Sequence, residues 1–274
     1  MKGKKYALLD TDFISKTYFI HDNAGKHLTD MILEMPMYTF FCHQKVVEEL
    51  TRHNQDAIGW LNQKIQDGSV QCFSDGDILK ELIKIRGDFA CAAYTQMLKA
   101  ACDAFSKSYF RDHYNTLNIF DYLNAALPDY QKALQQADEE IGKHSSIGEI
   151  KSYVLLQLLA LFNGEQVYVF CSDDKVARNG AISFENVRCI SAVSSFLRLK
   201  KELLWTWDEA QPYIDSFVDF CEEHKQQTFK VIEASDVARV KRVPCRQVLE
   251  EIFDDRFIDL QNGFLKYRPN VEMQ

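Results

Sequence analysis

Of the 274 residues only 5 are proline and 11 are glycine, which leaves little material for flexible linkers. No segment repeats at a period of roughly 20 to 50 residues, so a solenoid is disfavoured. The eight cysteines (Cys42, Cys72, Cys91, Cys102, Cys171, Cys189, Cys221, Cys245) stand singly, with no C-x-x-C pair of the kind that zinc or redox sites use. They read as reduced, mostly buried thiols. After the Lys-rich start the longest apolar run is Tyr6 to Leu9, too short for a signal peptide, and nowhere do about 18 apolar residues follow one another. A cytoplasmic location without membrane association is expected. There is also no excess of positive charge: 32 Lys and Arg against 40 Asp and Glu gives 32 − 40 = −8. That balance, with a pI near 5.4, argues against a protein that coats duplex nucleic acid by global charge.

What is present is the composition of a globular protein, 46% hydrophobic and 26% charged. At this length a chain buries roughly three quarters of its unfolded surface, enough for one large domain or two modest ones. Tyr6-Ala7-Leu8-Leu9 is a continuous apolar run ending at Asp10, which suits a strand covered on both faces. Tyr38–Phe41, Val167–Cys171 and Val187–Ile190 read as further strands. Val46, Val47, Leu50, Ala57, Ile58, Leu61 and Ile65 recur at helical spacing, on a helix that also carries Glu48 and Glu49. From about 76 to 144 the pattern becomes long helical stretches without a strand, read as a helical insertion. Ser146-Ile147-Gly148-Glu149 opens a helix whose apolar stripe runs to Phe162, with Asn163-Gly164 ending it, and another helix spans Ala192 to about Leu204. Strands alternating with helices predict a three-layer α/β sandwich around a mainly parallel sheet. Residues 1–199 form its domain, with the insertion at about 76–144, and residues 200–274 form a C-terminal extension or small α+β subdomain.

In open α/β sheets ligands bind at the carboxyl ends of strands. Two of these strands finish in carboxylates: Asp10 and Asp12 after the first, Asp173 and Asp174 after the later one. Clustered carboxylates repel one another in a low-dielectric cleft and are tolerated chiefly when a divalent cation neutralises them; Mg²⁺ or Mn²⁺ prefers such hard oxygen ligands. Metal ions of this kind activate water and stabilise a leaving oxygen, so no Ser, Cys or His nucleophile is needed.

These segments resemble the PIN-domain nucleases. YALLDTDFISK resembles the family's first strand, with Asp10 in its acidic position and Asp12 two residues on. QKVVEELTRH is similar to the second motif, in which a Glu before Leu points into the site; this selects Glu49, with Glu48 its neighbour. SSIGEIKSYVLLQLL resembles the variant third motif and selects Glu149, where many members have Asp. VYVFCSDDKVARNG resembles the fourth, a strand followed by a hydroxyl residue and Asp, which selects Ser172 and favours Asp174. The strand-to-helix step VRCISAVSSFLRL follows in order. The resemblance covers roughly residues 5–72 and 145–199, leaving the insertion and the last 75 residues outside it. It implies Mg²⁺- or Mn²⁺-dependent hydrolysis of phosphodiester bonds, in RNA ahead of DNA. The implied metal ligands are Asp10, Asp12, Glu49, Glu149, Asp173 and Asp174, with Asp10, Glu49, Glu149 and Asp174 catalytic and Ser172 supporting.

Each residue also has a purely structural reading. Asp10, Asp12 and Asp173 or Asp174 could cap turns, Glu149 completes a Ser-x-x-Glu capping box, Glu49 could be a solvated helix residue, and Ser172 could cap its turn. His43 and His53 read as surface or packing residues. A polyanion needs cations beside the acidic cleft. Lys4, Lys5, Arg52, Lys175 and Arg178 flank the motifs, and Arg52, Lys175 and Arg178 are the expected substrate contacts. The insertion offers Tyr94, Lys99, Lys107, Tyr109, Arg111, His113 and Tyr114, a mixture suited to stacking bases or to forming a core. The densest basic cluster, Arg239-Val240-Lys241-Arg242 with Arg246, is a candidate contact for nucleic acid or a protein partner.

Two other functions fit parts of the pattern. One is a non-catalytic PIN-like scaffold that engages a protein or RNA partner through the insertion or the C-terminal region. The other is a phosphatase: Asp10-Thr11-Asp12 also resembles the nucleophile and acid pair of haloacid-dehalogenase-type enzymes, although Ile14 stands where that family has Thr or Ser.

Overall fold

The computed structural model describes residues 4–123, 125–141, 146–163, 168–234 and 239–269. Five strands form a parallel sheet: β1 (Lys5–Leu9), β2 (Tyr38–His43), β3 (Val70–Phe73), β4 (Tyr168–Cys171) and β5 (Val187–Ile190). Their order is β3-β2-β1-β4-β5. The chain therefore walks outward from β1 through β2 to β3, then returns to the other side of β1 for β4 and β5. Val167, expected to open the fourth strand, and Gly164, expected to end the helix before it, lie outside the described residues.

Alternate residues of each strand enter opposite cores, as the period of two dictates. Ala7, Leu9, Phe40, Cys42, Val169, Cys171 and Ile190 face one side, with helices Thr11–Phe19, Gln44–His53, Gln55–Gln66 and Ala192–Glu202 packed over them. Leu8, Phe41, Phe170 and Cys189 face the other, under helices Asp75–Arg86, Ala90–Phe105, Leu127–Ile141 and Ile147–Asn163. Helices cover both faces, which explains why the central strands β1 and β4 read as unbroken apolar runs. The stretch expected to be a helical insertion supplies most of the second helical layer.

Several boundaries differ from the sequence reading. The helix carrying Glu48 and Glu49 is two helices: Asn54 leaves helical geometry at φ −150° and its Oδ1 accepts from the Ala57 N–H at 3.0 Å, starting the second. Strand β3 was not foreseen. The helix from Ala192 ends at Glu202, and Leu204 takes a left-handed φ of 57°.

Residues 207–267 add helices Trp207–Glu223 and Cys245–Phe253 and a second sheet of β6 (Thr228–Ile232), β7 (Val240–Pro244), β8 (Phe257–Asp259) and β9 (Leu265–Tyr267), ordered β7-β6-β9-β8. Their apolar side chains, among them Phe217, Val231, Leu249 and Phe257, join the first core rather than forming one of their own. The loop before β9 closes onto β5, where the Cys189 N–H donates to the Gln261 carbonyl at 2.7 Å. All eight cysteines are unpaired and seven are buried. Among the described residues no helix is long and apolar enough to cross a membrane.

Candidate functional site

The order of the parallel sheet reverses between β1 and β4, and the crevice outside the carboxyl ends of two such strands is where open α/β sheets bind ligands. Asp10 follows β1 and Ser172-Asp173-Asp174 follows β4. The two strand ends are tied together, with the Asp10 N–H donating to the Cys171 carbonyl at 2.9 Å. Lys4 and Lys5 lie at the amino end of β1, about 13 Å of strand away from this edge, so they do not flank the site as their place in the sequence suggested.

Asp10 precedes the helix Thr11–Phe19 and is only 2% exposed, yet its side chain makes no capping bond. The cap reading therefore does not account for it. Burial, then the charges of Glu149, Asp12 and Glu49, push its carboxyl well above the ordinary range, with a hydrogen bond from Ser172 opposing them. Glu149 is pushed up to about 7, chiefly by burial and then by Glu49, Asp12 and Asp174, against a hydrogen bond from its own backbone N–H. Asp12 is raised by burial and by Asp174 and Asp173. Glu49 is raised by burial, while Thr11, Arg52 and the Gly148 N–H draw it down. Six carboxylates from four segments thus share one field, and each that shifts does so toward the protonated form.

The chain's own groups hold several of them. Thr11 Oγ1 donates to Glu49 Oε2 at 2.5 Å. Glu49 also lies against Gly148, where a Cβ would stand 2.6 Å from both carboxylate oxygens. Lys16 Nζ forms an ion pair with Asp173 and donates to Gln226 Oε1 at 3.2 Å, and the Ala192 N–H donates to Asp173 Oδ1 at 3.1 Å. Asp174 caps the helix Lys175–Ala181 through the Val176 N–H at 2.6 Å, as its structural reading required, and Ser172 Oγ accepts from the Asp174 N–H at 3.2 Å. Among the described residues no three His, Cys, Asp or Glu side chains are spaced to hold one metal ion. The donor set nevertheless suits a hard cation: oxygen only, mutually repelling and centred on the buried Asp10.

The cations are distributed differently from the expectation. Arg178 is buried, its Nε donating to the Asn262 carbonyl at 3.0 Å and its Nη1 to the Ser172 carbonyl at 2.9 Å; it braces the site instead of facing solvent. Lys175 is exposed beside it, and Arg52 is exposed one turn beyond Glu48. Glu48 pairs with Lys45 at 2.9 Å and takes no part in the cluster. In the insertion Tyr94, Tyr109 and Tyr114 are core residues, so they are not free to stack on bases; composition alone could not separate the two roles. Lys99, Lys107, Arg111 and His113 are exposed.

Four contributors were missed in the sequence: Thr11, Lys16, Gly148 and Tyr153, whose OH donates to the Ala177 carbonyl and whose pKa Asp10 and Glu149 help to raise, after burial. Lys16 had a signal, since it lies one helical turn beyond Asp12. A second polar centre was also unforeseen. Lys151, fully buried, pairs with Asp75 at 2.9 Å and Asp138 at 3.0 Å, with the rings of Tyr94 and Tyr114 within 6 Å. His43 stands beside it, with Nδ1 accepting from the Lys45 N–H at 3.1 Å and Nε2 facing Asp75 at 3.3 Å, off the direction of a hydrogen bond. His43 is thus a packing residue, as expected, but at the edge of a cleft of about 700 Å³ between Gln44, Lys45, Arg52 and the insertion helix Leu127–Ile141.

No family model, curated protein or solved structure matches the chain.

Proposed function

We propose that the chain is a divalent-metal-dependent nuclease of PIN-like type that hydrolyses phosphodiester bonds, in RNA ahead of DNA. The observation that carries this reading is Asp10: a buried carboxylate at the switch point of a parallel sheet, capping nothing, with Glu149 and Glu49 in its field. Such an arrangement costs stability in isolation and is explained by a cation that relieves it. Asp10, Asp12, Glu49, Glu149 and Asp174 would hold Mg²⁺ or Mn²⁺, with Asp173 beside them. The cation, when bound, would make water a nucleophile at neutral pH and offset charge on the phosphate. Ser172 orients Asp10, Thr11 orients Glu49, and Arg178 pins the Ser172 loop. Lys175 stands at the rim, where a phosphate would approach. Eight unpaired thiols accord with a cytoplasmic setting.

One observation favours the alternative of a non-catalytic scaffold: Lys16 already supplies an internal cation to Asp173. Comparing native protein with Asp10→Asn decides between the two. The nuclease reading expects Mn²⁺ to raise the native melting temperature and to support cleavage of single-stranded RNA, with both effects largely lost in Asp10→Asn. It also expects the variant to be at least as stable as the native protein without metal, because one repelling charge is gone. Loss of a mere cap would instead cost about 1 kcal/mol. Absence of metal-dependent stabilisation and of cleavage across RNA and DNA substrates would leave the scaffold.

A further inference from the structure

The helix Lys175–Ala181, which starts at Asp174, faces the C-terminal sheet across a cleft of about 520 Å³. Lys175, Asn179, Lys230, Arg242, Asn262 and Phe264 line it, and among the described residues no acidic side chain does. In a chain of net charge −8, a cavity lined by three cations and, among the described residues, by no carboxylate is a local reversal of sign. Among the described residues none of the three cations has an ion-pair partner.

The strand register makes the reversal sharper. Lys230 on β6 is directly opposite Arg242 on β7 in an antiparallel pair. Residues so placed point to the same face with Cβ atoms about 5 Å apart, and like charges there destabilise the sheet. Both are exposed, whereas the neighbouring pair Phe229 and Val243 packs into the core. A bound anion would turn this repulsion into attraction. Across the cleft the Phe264 ring lies 5.6 Å from Lys175 Nζ and 5.5 Å from the Arg178 guanidinium. Gly263 allows the loop to sit this close: its φ is 76°, and a Cβ there would meet the Cys189 carbonyl at 3.1 Å. Arg178 in turn holds the Ser172 carbonyl, so the cleft and the carboxylate site are rigidly joined.

We propose that this cleft binds the sugar-phosphate backbone of a single nucleic-acid strand as it leaves the carboxylate site. The proposal rests on the nuclease reading for the identity of the polyanion. Three cations match two or three successive phosphates, and the Asn179 and Asn262 amides can donate to phosphate or sugar oxygens. An acidic surface elsewhere repels the broad footprint of a duplex but leaves a narrow basic channel open to one strand.

The test measures binding without catalysis. Anisotropy of a labelled 20-nucleotide oligouridylate is followed in EDTA between 50 and 200 mM salt, for native protein and for the double variant Lys230→Glu, Arg242→Glu. For a single strand the slope of log affinity against log salt is about 0.7 per phosphate neutralised, so losing two contacts should flatten it by about 1.4. Affinity at 50 mM salt should fall at least about tenfold. A single variant, Lys230→Glu, guards against misfolding: it sets a carboxylate opposite Arg242 and should melt no lower than native while binding more weakly. Unchanged affinity and slope in the double variant would overturn the proposal, as would native protein that binds a polyglutamate peptide as tightly as RNA or shows no salt-dependent RNA binding. The two readings fail separately. Weakened RNA binding by the variants alongside absent Mn²⁺-dependent cleavage by native protein would keep this site and remove the nuclease; the reverse pattern would do the opposite.

Discussion

The carboxylate of Glu49 rests on the α-carbon of Gly148, so closely that a methyl group on Gly148 would stand 2.6 Å from both of its oxygens. These residues come from different layers, on either side of the sheet. The contact brings the Gly148 N–H and the Thr11 hydroxyl to the same carboxylate.

Gly148→Ala follows from that contact. Alanine in the first turn of a helix ordinarily stabilises it, by up to about 1 kcal/mol. Here the added carbon meets the mobile end of a side chain, so Glu49 swings away at small cost to the fold. The melting temperature should change little, while Mn²⁺ affinity, read from metal-dependent stabilisation, should fall roughly 10- to 100-fold, as when a group orienting a ligand is lost. Unaltered affinity would show that Glu49 need not stand there.

The protonation of Glu149 sets a pH dependence opposite to that of an ordinary salt-bridged carboxylate. Its pKa is raised by folding from 4.5 to about 7, so between these values the folded protein binds more protons than the unfolded one. Stability from this group is complete below about pH 4.5 and is lost as pH rises through 7. The loss is at most about 3 kcal/mol, and less where Asp10 shares the proton. Metal-free denaturant melts from pH 5 to 8 should show this decline, and Glu149→Gln should flatten it. Because a cation competes with the proton, Mn²⁺ should stabilise more at pH 8 than at pH 5.5. A flat native profile would remove the shift.

Lys151 should be indispensable to the insertion. It is fully buried, and although burial acts to lower its pKa, Asp75 and Asp138 outweigh that and hold it above its usual value. Lys151→Met leaves two carboxylates without their partner inside the protein, a change expected to cost about 3–5 kcal/mol in urea unfolding. Adding Asp75→Asn and Asp138→Asn should recover much of the loss, since the penalty comes from unpaired charge. Equal stability of Lys151→Met and native protein would refute the pairing.

The strands β1 and β4 were legible because a strand covered on both faces reads as a short unbroken apolar run, and the carboxylates stand out because they end such runs. β3 was not, because exposed Gln71 breaks its apolar run; β5, broken in the same way by exposed Arg188, was read through the helix that follows it. The break at Asn54 was hidden by a helical period that continues through it, while the capping bond that makes the break is set by a single side chain.

By itself the sequence determined the α/β alternation, the edge at which acidic groups gather and the predominance of helices between Asp75 and Ile141, since these depend on local period and on which segments are apolar throughout. Only the tertiary structure decided what those groups meet. It buried Tyr94 and Tyr114 around Lys151, turned Arg178 inward as a brace, packed Glu49 onto Gly148 and set Lys230 opposite Arg242. A side chain's periodicity is a property of its own segment. Its partner, its charge state and its exposure are imposed by segments far away in the chain, through burial and the fields of neighbouring charges.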